Sequence, residues 1–122
     1  MSISDLRRDY LGQPLVENEA GPDPFALFDR WFTASRDSER DPTAMALATA
    51  TREGRPSIRT VLLKGYGPEG FVFYTNYNSR KAREIAANPR VSLMFFWPGP
   101  ERQVRVEGTA EKVSAADSET YF

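Results

Sequence analysis

The stretch Tyr74-Thr75-Asn76-Tyr77-Asn78-Ser79-Arg80-Lys81 carries the densest chemistry in this 122-residue chain. Ser79 is a natural helix N-cap, which places Arg80 and Lys81 in a first helical turn, where the helix dipole disfavours cations. A bound phosphate would compensate, because the free N–H groups of that turn and the two cations converge on one anion. The alternative is that both side chains are solvated and Arg80 pairs with Glu84 at i+4, worth only a few tenths of a kcal/mol.

A second pair of cations sits in Arg59-Thr60-Val61-Leu62-Leu63-Lys64, a run that otherwise reads as buried strand. Strand side chains alternate with period two, so two cations five positions apart face opposite sides unless a bulge intervenes. One straight strand cannot aim both at one phosphate. Either they serve two different anions, or one lays its stem on apolar surface and keeps its charge in water. In Arg102-Gln103-Val104-Arg105-Val106-Glu107, Gln103, Arg105 and Glu107 alternate with Val104 and Val106. A polar barrel exterior explains that pattern, and Gln103 gains a role only if its face meets a partner.

Two further patterns resolve into ordinary structure. Gly65-Tyr66-Gly67-Pro68-Glu69-Gly70 fits G-x-G-x-x-G, but the strand-like Phe71-Val72-Phe73-Tyr74-Thr75 follows where a pyrophosphate loop needs a helix, so a hairpin turn is expected. Phe71, Phe73, Tyr74, Tyr77, Phe95, Phe96 and Trp97 could stack on bases. Core packing is the expected role, since a net charge of −1 and no lysine-rich stripe argue against nucleic acid.

The chain has no histidine and no cysteine, which excludes Ser-His-Asp and Cys-His catalysis, thiolate zinc sites, iron–sulfur clusters and disulfides. Any metal would need carboxylate ligands, and none is expected. Without disulfides, a signal-like apolar start or a membrane-length apolar run, the chain reads as cytoplasmic, with no membrane partner. Of its 16 cations 13 are arginine, which leaves room for local anion sites.

The elements that must position these residues follow from pattern. Residues 1–22 are polar and rich in Gly and Pro and read as a flexible N-terminal arm, with residues 23–122 as the domain proper. Asp23-Pro24 starts a helix whose Phe25, Phe28 and Phe32, beside Leu27 and Trp31, form a broad apolar face. Strands are predicted over 43–51, 57–66, 70–76, 90–97 and 102–113, the first three as an antiparallel meander joined by short turns at 52–55 and 67–70. A short helix over about 79–87 ends at Asn88-Pro89, and Ser114-Ala115-Ala116-Asp117 matches a helix start. The fold class is mainly β, a small closed or half-closed barrel with flanking helices.

Arg59-Thr60-Val61-Leu62-Leu63-Lys64, Phe71-Val72-Phe73-Tyr74-Thr75-Asn76, Ser79-Arg80-Lys81, Asn88-Pro89, Phe95-Phe96-Trp97 and Arg102-Gln103-Val104-Arg105, in this order and spacing, strongly resemble pyridoxamine 5'-phosphate oxidase. Leu6-Arg7-Arg8-Asp9-Tyr10 does so too. The resemblance runs over nearly the whole chain. It implies a split β-barrel homodimer that binds FMN at the subunit interface. The implied reaction oxidises pyridoxamine or pyridoxine 5'-phosphate to pyridoxal 5'-phosphate with O2 and releases hydrogen peroxide.

Carried over residue by residue, the resemblance implies that Arg59, Thr60, Val61, Leu62, Leu63 and Lys64 line the FMN site and that Tyr74 and Thr75 touch the flavin nucleotide. It implies that the Ser79-Arg80-Lys81 turn holds the flavin phosphate and that Gln103 reaches the isoalloxazine. Lys64 and Tyr121 match contacts to the substrate phosphate, and Arg7, Arg8, Asp9 and Tyr10 match an arm that closes over the substrate. Two phosphates, one on FMN and one on substrate, would suit the opposed Arg59 and Lys64. No general base is nominated. Family members continue beyond Tyr121-Phe122 into further substrate and flavin contacts, so these residues are expected to be the N-terminal portion of such an oxidase. The alternative function is a short FMN-binding split-barrel module without vitamin B6 oxidase activity.

Overall fold

A computed structural model describes residues 20–75 and 79–113. Helix α1, Pro24–Ser38, begins where Asp23 accepts the Phe25 N–H at 3.0 Å and Pro24 fills the first turn, where its missing N–H costs nothing. Five strands follow: β1 (Ala44–Ala50), β2 (Pro56–Gly67), β3 (Gly70–Phe73), β4 (Arg90–Trp97) and β5 (Arg102–Thr109), with helix α2 (Arg80–Ala87) between β3 and β4. All pairings are antiparallel and the sheet order is β3-β2-β1-β4-β5. The sheet curls into a half-barrel whose edges are β3 and β5.

The predicted turns close as expected. Between β1 and β2, Thr51 caps the loop by accepting the Arg55 N–H at 3.0 Å, and Gly54 supplies a φ of 88°. Gly67 pairs with Gly70 across a tight hairpin, so the G-x-G-x-x-G match is a strand connection.

Two strands stop short of their predicted ends. In β3 the ladder ends at Leu63↔Phe73, beside a register shift between Leu63 and Gly65 that leaves Lys64 in a bulge. In β5 the last pair is Arg90↔Thr109, because Pro89 has no N–H to extend the ladder and its carbonyl instead accepts the Ala110 N–H at 2.8 Å.

Alternation sorts the sheet into two faces. The inner face presents Met45, Leu47, Val61, Leu63, Leu93, Phe95 and Trp97, all buried, and Phe28 from α1 packs into their centre. The Phe28 ring lies 4.9 Å from Phe71, 5.0 Å from Tyr66 and 5.2 Å from Phe95 between centroids, the first two edge-on. Tyr66 Oη donates to Asp29 at 2.6 Å, and the Arg102 guanidinium sits 4.6 Å over the Trp31 ring, which ties α1 to both flanks of the sheet. No helix among the described residues is long and apolar enough to cross a membrane.

Candidate functional site

Helix α2 is positioned by its own cap. The Ser79 hydroxyl accepts the Ala82 N–H at 3.2 Å and lies 3.3 Å from the Thr75 hydroxyl, which links the end of the β3 segment to the helix start. The first turn contains no acidic residue, so its free N–H groups, Arg80 and Lys81 make one cationic end. Arg80 Nε donates to Glu84 Oε1 at 2.7 Å, the i+4 pairing that sequence offered as the alternative to a phosphate contact. The Arg80 side chain nevertheless stays 63% exposed, whereas Glu84 is 7% exposed.

Glu84 is the centre of a polar network on the inner face. Its carboxylate also accepts from the Thr49 hydroxyl at 2.6 Å and the Ser57 hydroxyl at 3.1 Å. Thr49 in turn accepts from Arg59 Nη1 at 2.8 Å, and the same nitrogen reaches the Leu47 carbonyl at 3.1 Å. One hydroxyl thus donates to a carboxylate and accepts from a guanidinium, which uses both of its capacities. The hydrogen bond from Thr49, and then that from Arg80, hold the Glu84 carboxyl below its ordinary range against the opposing effect of burial. Glu84 is therefore ionised at neutral pH, and the buried charge is compensated.

The structure divides the sequence-predicted ligands into two sets. Arg59, Thr75, Ser79 and Arg80 belong to two linked groups at the inner-face end of β1, β2 and α2, with Lys81 half-buried in the same turn. Thr60, Leu62 and Lys64 point to the outer face of β2, and Gln103 lies exposed on the outer face of β5 opposite Phe96. Arg59 and Lys64 are opposed, as the spacing required. Val61 and Leu63 are core side chains, at 7% and 5% exposure, which leaves only their main chain to meet a ligand. Tyr74 is half-buried just past β3. Arg7, Arg8, Asp9, Tyr10 and Tyr121 lie outside the described residues, as do Asn76, Tyr77, Asn78 and the proposed helix start at 114–117.

Sequence reasoning missed Thr49 and Ser57 and treated Glu84 only as a surface partner. A signal existed for Thr49: in Ala44-Met45-Ala46-Leu47-Ala48-Thr49-Ala50 it shares the buried register of Met45 and Leu47, and a buried hydroxyl requires a partner. The apolar outer face was also missed. There Ile58, Leu62, Met94 and Phe96 are 71%, 47%, 36% and 47% exposed around the small side chains of Ala44, Ala46, Ala48 and Ala50. An open groove of about 570 Å³ at the ends of β1, β4 and β5, lined by Ala48, Ala50, Arg90 and Glu107 among others, contains none of the predicted ligands.

The chemistry of this donor set fits a phosphate monoester: two guanidiniums, an ammonium, hydroxyls and a capped helix start. The pyridoxine/pyridoxamine 5'-phosphate oxidase of Rubrobacter xylanophilus is 58% identical over 121 residues, covering 98% of this chain and 56% of its own length. That of Bordetella pertussis is 57% identical over 125 residues, covering the whole of this chain and 59% of its own. The chain thus spans somewhat over half the length of these relatives. Among solved structures, PhzG from Burkholderia lata, in complex with tetrahydrophenazine-1-carboxylic acid, superposes with a TM-score of 0.79 at 31% identity, over 87% of this chain and 54% of that one. An FMN-binding protein related to pyridoxamine 5'-phosphate oxidase, from Nostoc punctiforme, shares the fold with a TM-score of 0.65 at 23% identity, over 82% of this chain and 55% of that one. A family model described as pyridoxamine 5'-phosphate oxidase matches residues 33–122, and with that match over most of its length the chain belongs to the pyridoxamine 5'-phosphate oxidase family.

Proposed function

We propose that the chain binds FMN and serves an oxidase that converts pyridoxamine or pyridoxine 5'-phosphate to pyridoxal 5'-phosphate, with O2 as acceptor and hydrogen peroxide as product. The observation that carries this reading is the cationic start of α2, free of acidic residues, joined to Arg59 through Thr49 and Glu84. Arg80, Lys81 and the Ser79 turn hold the flavin phosphate, and Arg59 contributes a second guanidinium from β2. Thr60, Val61, Leu62, Leu63, Tyr74 and Thr75 flank the nucleotide, and Gln103 meets the isoalloxazine. Lys64, exposed on the opposite face, holds the substrate phosphate together with Tyr121, and Arg7, Arg8, Asp9 and Tyr10 close over it. When bound, FMN supplies the hydride acceptor and its reoxidation by O2, so these side chains need only bind, orient and exclude water.

Because the proposed ligands occupy two faces of one sheet, a single chain cannot enclose a flavin with all of them. A homodimer joined through the apolar outer face supplies the second wall. The chain's similarity to PhzG favours a second reading: the same fold at 31% identity holds a phenazine compound there, so the fold alone does not select a B6 vitamer. In that reading the chain is an FMN-binding split barrel without B6 oxidase activity.

Titration with FMN tests the flavin site. Arg80→Ala and Lys81→Ala are each expected to weaken binding by about 1–3 kcal/mol, the range for charge-assisted hydrogen bonds. Unchanged affinity in both variants removes the phosphate assignment. Mixing the flavin-loaded protein with pyridoxamine 5'-phosphate under air separates the two readings: peroxide and pyridoxal 5'-phosphate support the oxidase, and flavin binding without product supports the module.

A further inference from the structure

Glu84 is the one buried carboxylate among the described residues, and the proposed function gives it no contact with flavin or substrate. It is unusual in its partners. Three donors from three elements meet it: Thr49 on β1, Ser57 on β2 and Arg80 on α2. Arg59 joins the same network through Thr49. The two arginines assigned to the flavin are 21 positions apart in sequence, yet one carboxylate holds Arg80 directly and is joined to Arg59 through Thr49. Arg80 makes that bond through Nε, and its side chain remains 63% exposed, so the guanidinium is held by one edge while most of it faces outward.

We propose that Glu84 is a positioning residue for the flavin phosphate, holding Arg80 directly and Arg59 through Thr49 in a preset arrangement before the ligand arrives. The inference rests on the reading of the α2 start as the FMN phosphate site. Two effects compete at such a position. A carboxylate near an incoming phosphate repels it, but this one is already met by three donors, which blunts its field. Two long arginine side chains otherwise lose much rotamer freedom on binding, and presetting them removes that cost from the binding step. The preset geometry is expected to win, which makes the sign of the effect diagnostic.

The test compares FMN with riboflavin, which lacks the phosphate, by flavin-fluorescence titration of the wild-type chain, Glu84→Gln, Thr49→Val and Arg80→Ala. Glu84→Gln is expected to weaken FMN binding by about tenfold, the equivalent of one charge-assisted hydrogen bond, and to leave riboflavin within about twofold. Thr49→Val, which cuts the link to Arg59 but keeps the carboxylate, is expected to fall between wild type and Glu84→Gln and decides the matter if the glutamine variant fails to fold. A parallel loss for both flavins marks Glu84 as merely structural and overturns the inference. Unchanged or tighter FMN binding in Glu84→Gln, with Arg80→Ala still weakened, overturns the inference and leaves the phosphate site standing. Unchanged FMN binding in Arg80→Ala overturns the inference, and the site reading falls with it only if Lys81→Ala leaves FMN binding unchanged as well.

Discussion

Glu84 carries a prediction that needs no ligand. Its folded-state pKa lies below the ordinary value of 4.5, first through the Thr49 hydrogen bond and then through Arg80. A carboxyl with a depressed folded pKa contributes stability that is fully present above its unfolded value and is lost as pH falls through the folded one. Urea unfolding of wild type and Glu84→Gln at a series of pH values should therefore show a wild-type advantage near neutrality that shrinks below pH 4.5. A gap that stays constant through that window would mean that the charge is not what stabilises the network. Much at this scale was legible in sequence. Ser79 as cap, the Arg80–Glu84 spacing and the opposed faces of Arg59 and Lys64 all follow from local periodicity. The burial of Glu84 was not legible, because i+4 spacing looks the same on a solvated helix face and on one pressed against a sheet.

Helix α1 and its dock on the half-barrel carry the stability predictions for the elements. Phe28 is buried at 4% exposure among Phe71, Tyr66, Phe95 and Trp97, so Phe28→Ala is expected to cost about 3–5 kcal/mol, read as a lowered denaturation midpoint with little change in slope. The same dock contains Tyr66, whose hydroxyl is pushed up to about 12 from 10.0 by burial and then by its hydrogen bond to Asp29. Here the folded pKa is raised, so the associated stability is complete below pH 10 and is lost as pH rises towards 12. Alkaline ultraviolet titration of the wild type against Tyr66→Phe should assign a late-ionising step to Tyr66, and Asp29→Asn should move that step to lower pH. The existence and type of the seven elements among the described residues were readable from capping residues, turn glycines and alternation. The ends of β3 and β5 were not, because a strand stops where its partner stops, and neither the Lys64 bulge nor the Pro89 limit is a property of the strand that ends.

For the whole molecule, the outer sheet face makes the prediction. Ile58, Leu62, Met94 and Phe96 remain well exposed, which is more apolar surface on one face than a solvated sheet needs. If that face joins two copies, Phe96→Glu or Leu62→Glu places a charge in the seam, and sedimentation should move from twice the chain mass to the mass of one chain. A wild-type protein that sediments as a single chain at all concentrations would remove the dimer and, with it, the second wall of the proposed flavin site.

Alone, the sequence determined the β-rich architecture, the two helix starts, the hairpin turns, the absence of histidine and thiol chemistry, and the family resemblance that the family match later bore out. Those features depend on residues close together in the chain, where spacing and side-chain type are sufficient. The tertiary structure alone decided that Thr49 meets Glu84 across 35 positions, that Arg59 and Arg80 share one anchor, and that Lys64 and Gln103 lie on the other side of the sheet. The physical reason is that periodicity assigns a side chain to a face of its own element, whereas which faces meet depends on how the curled sheet and its helices pack together.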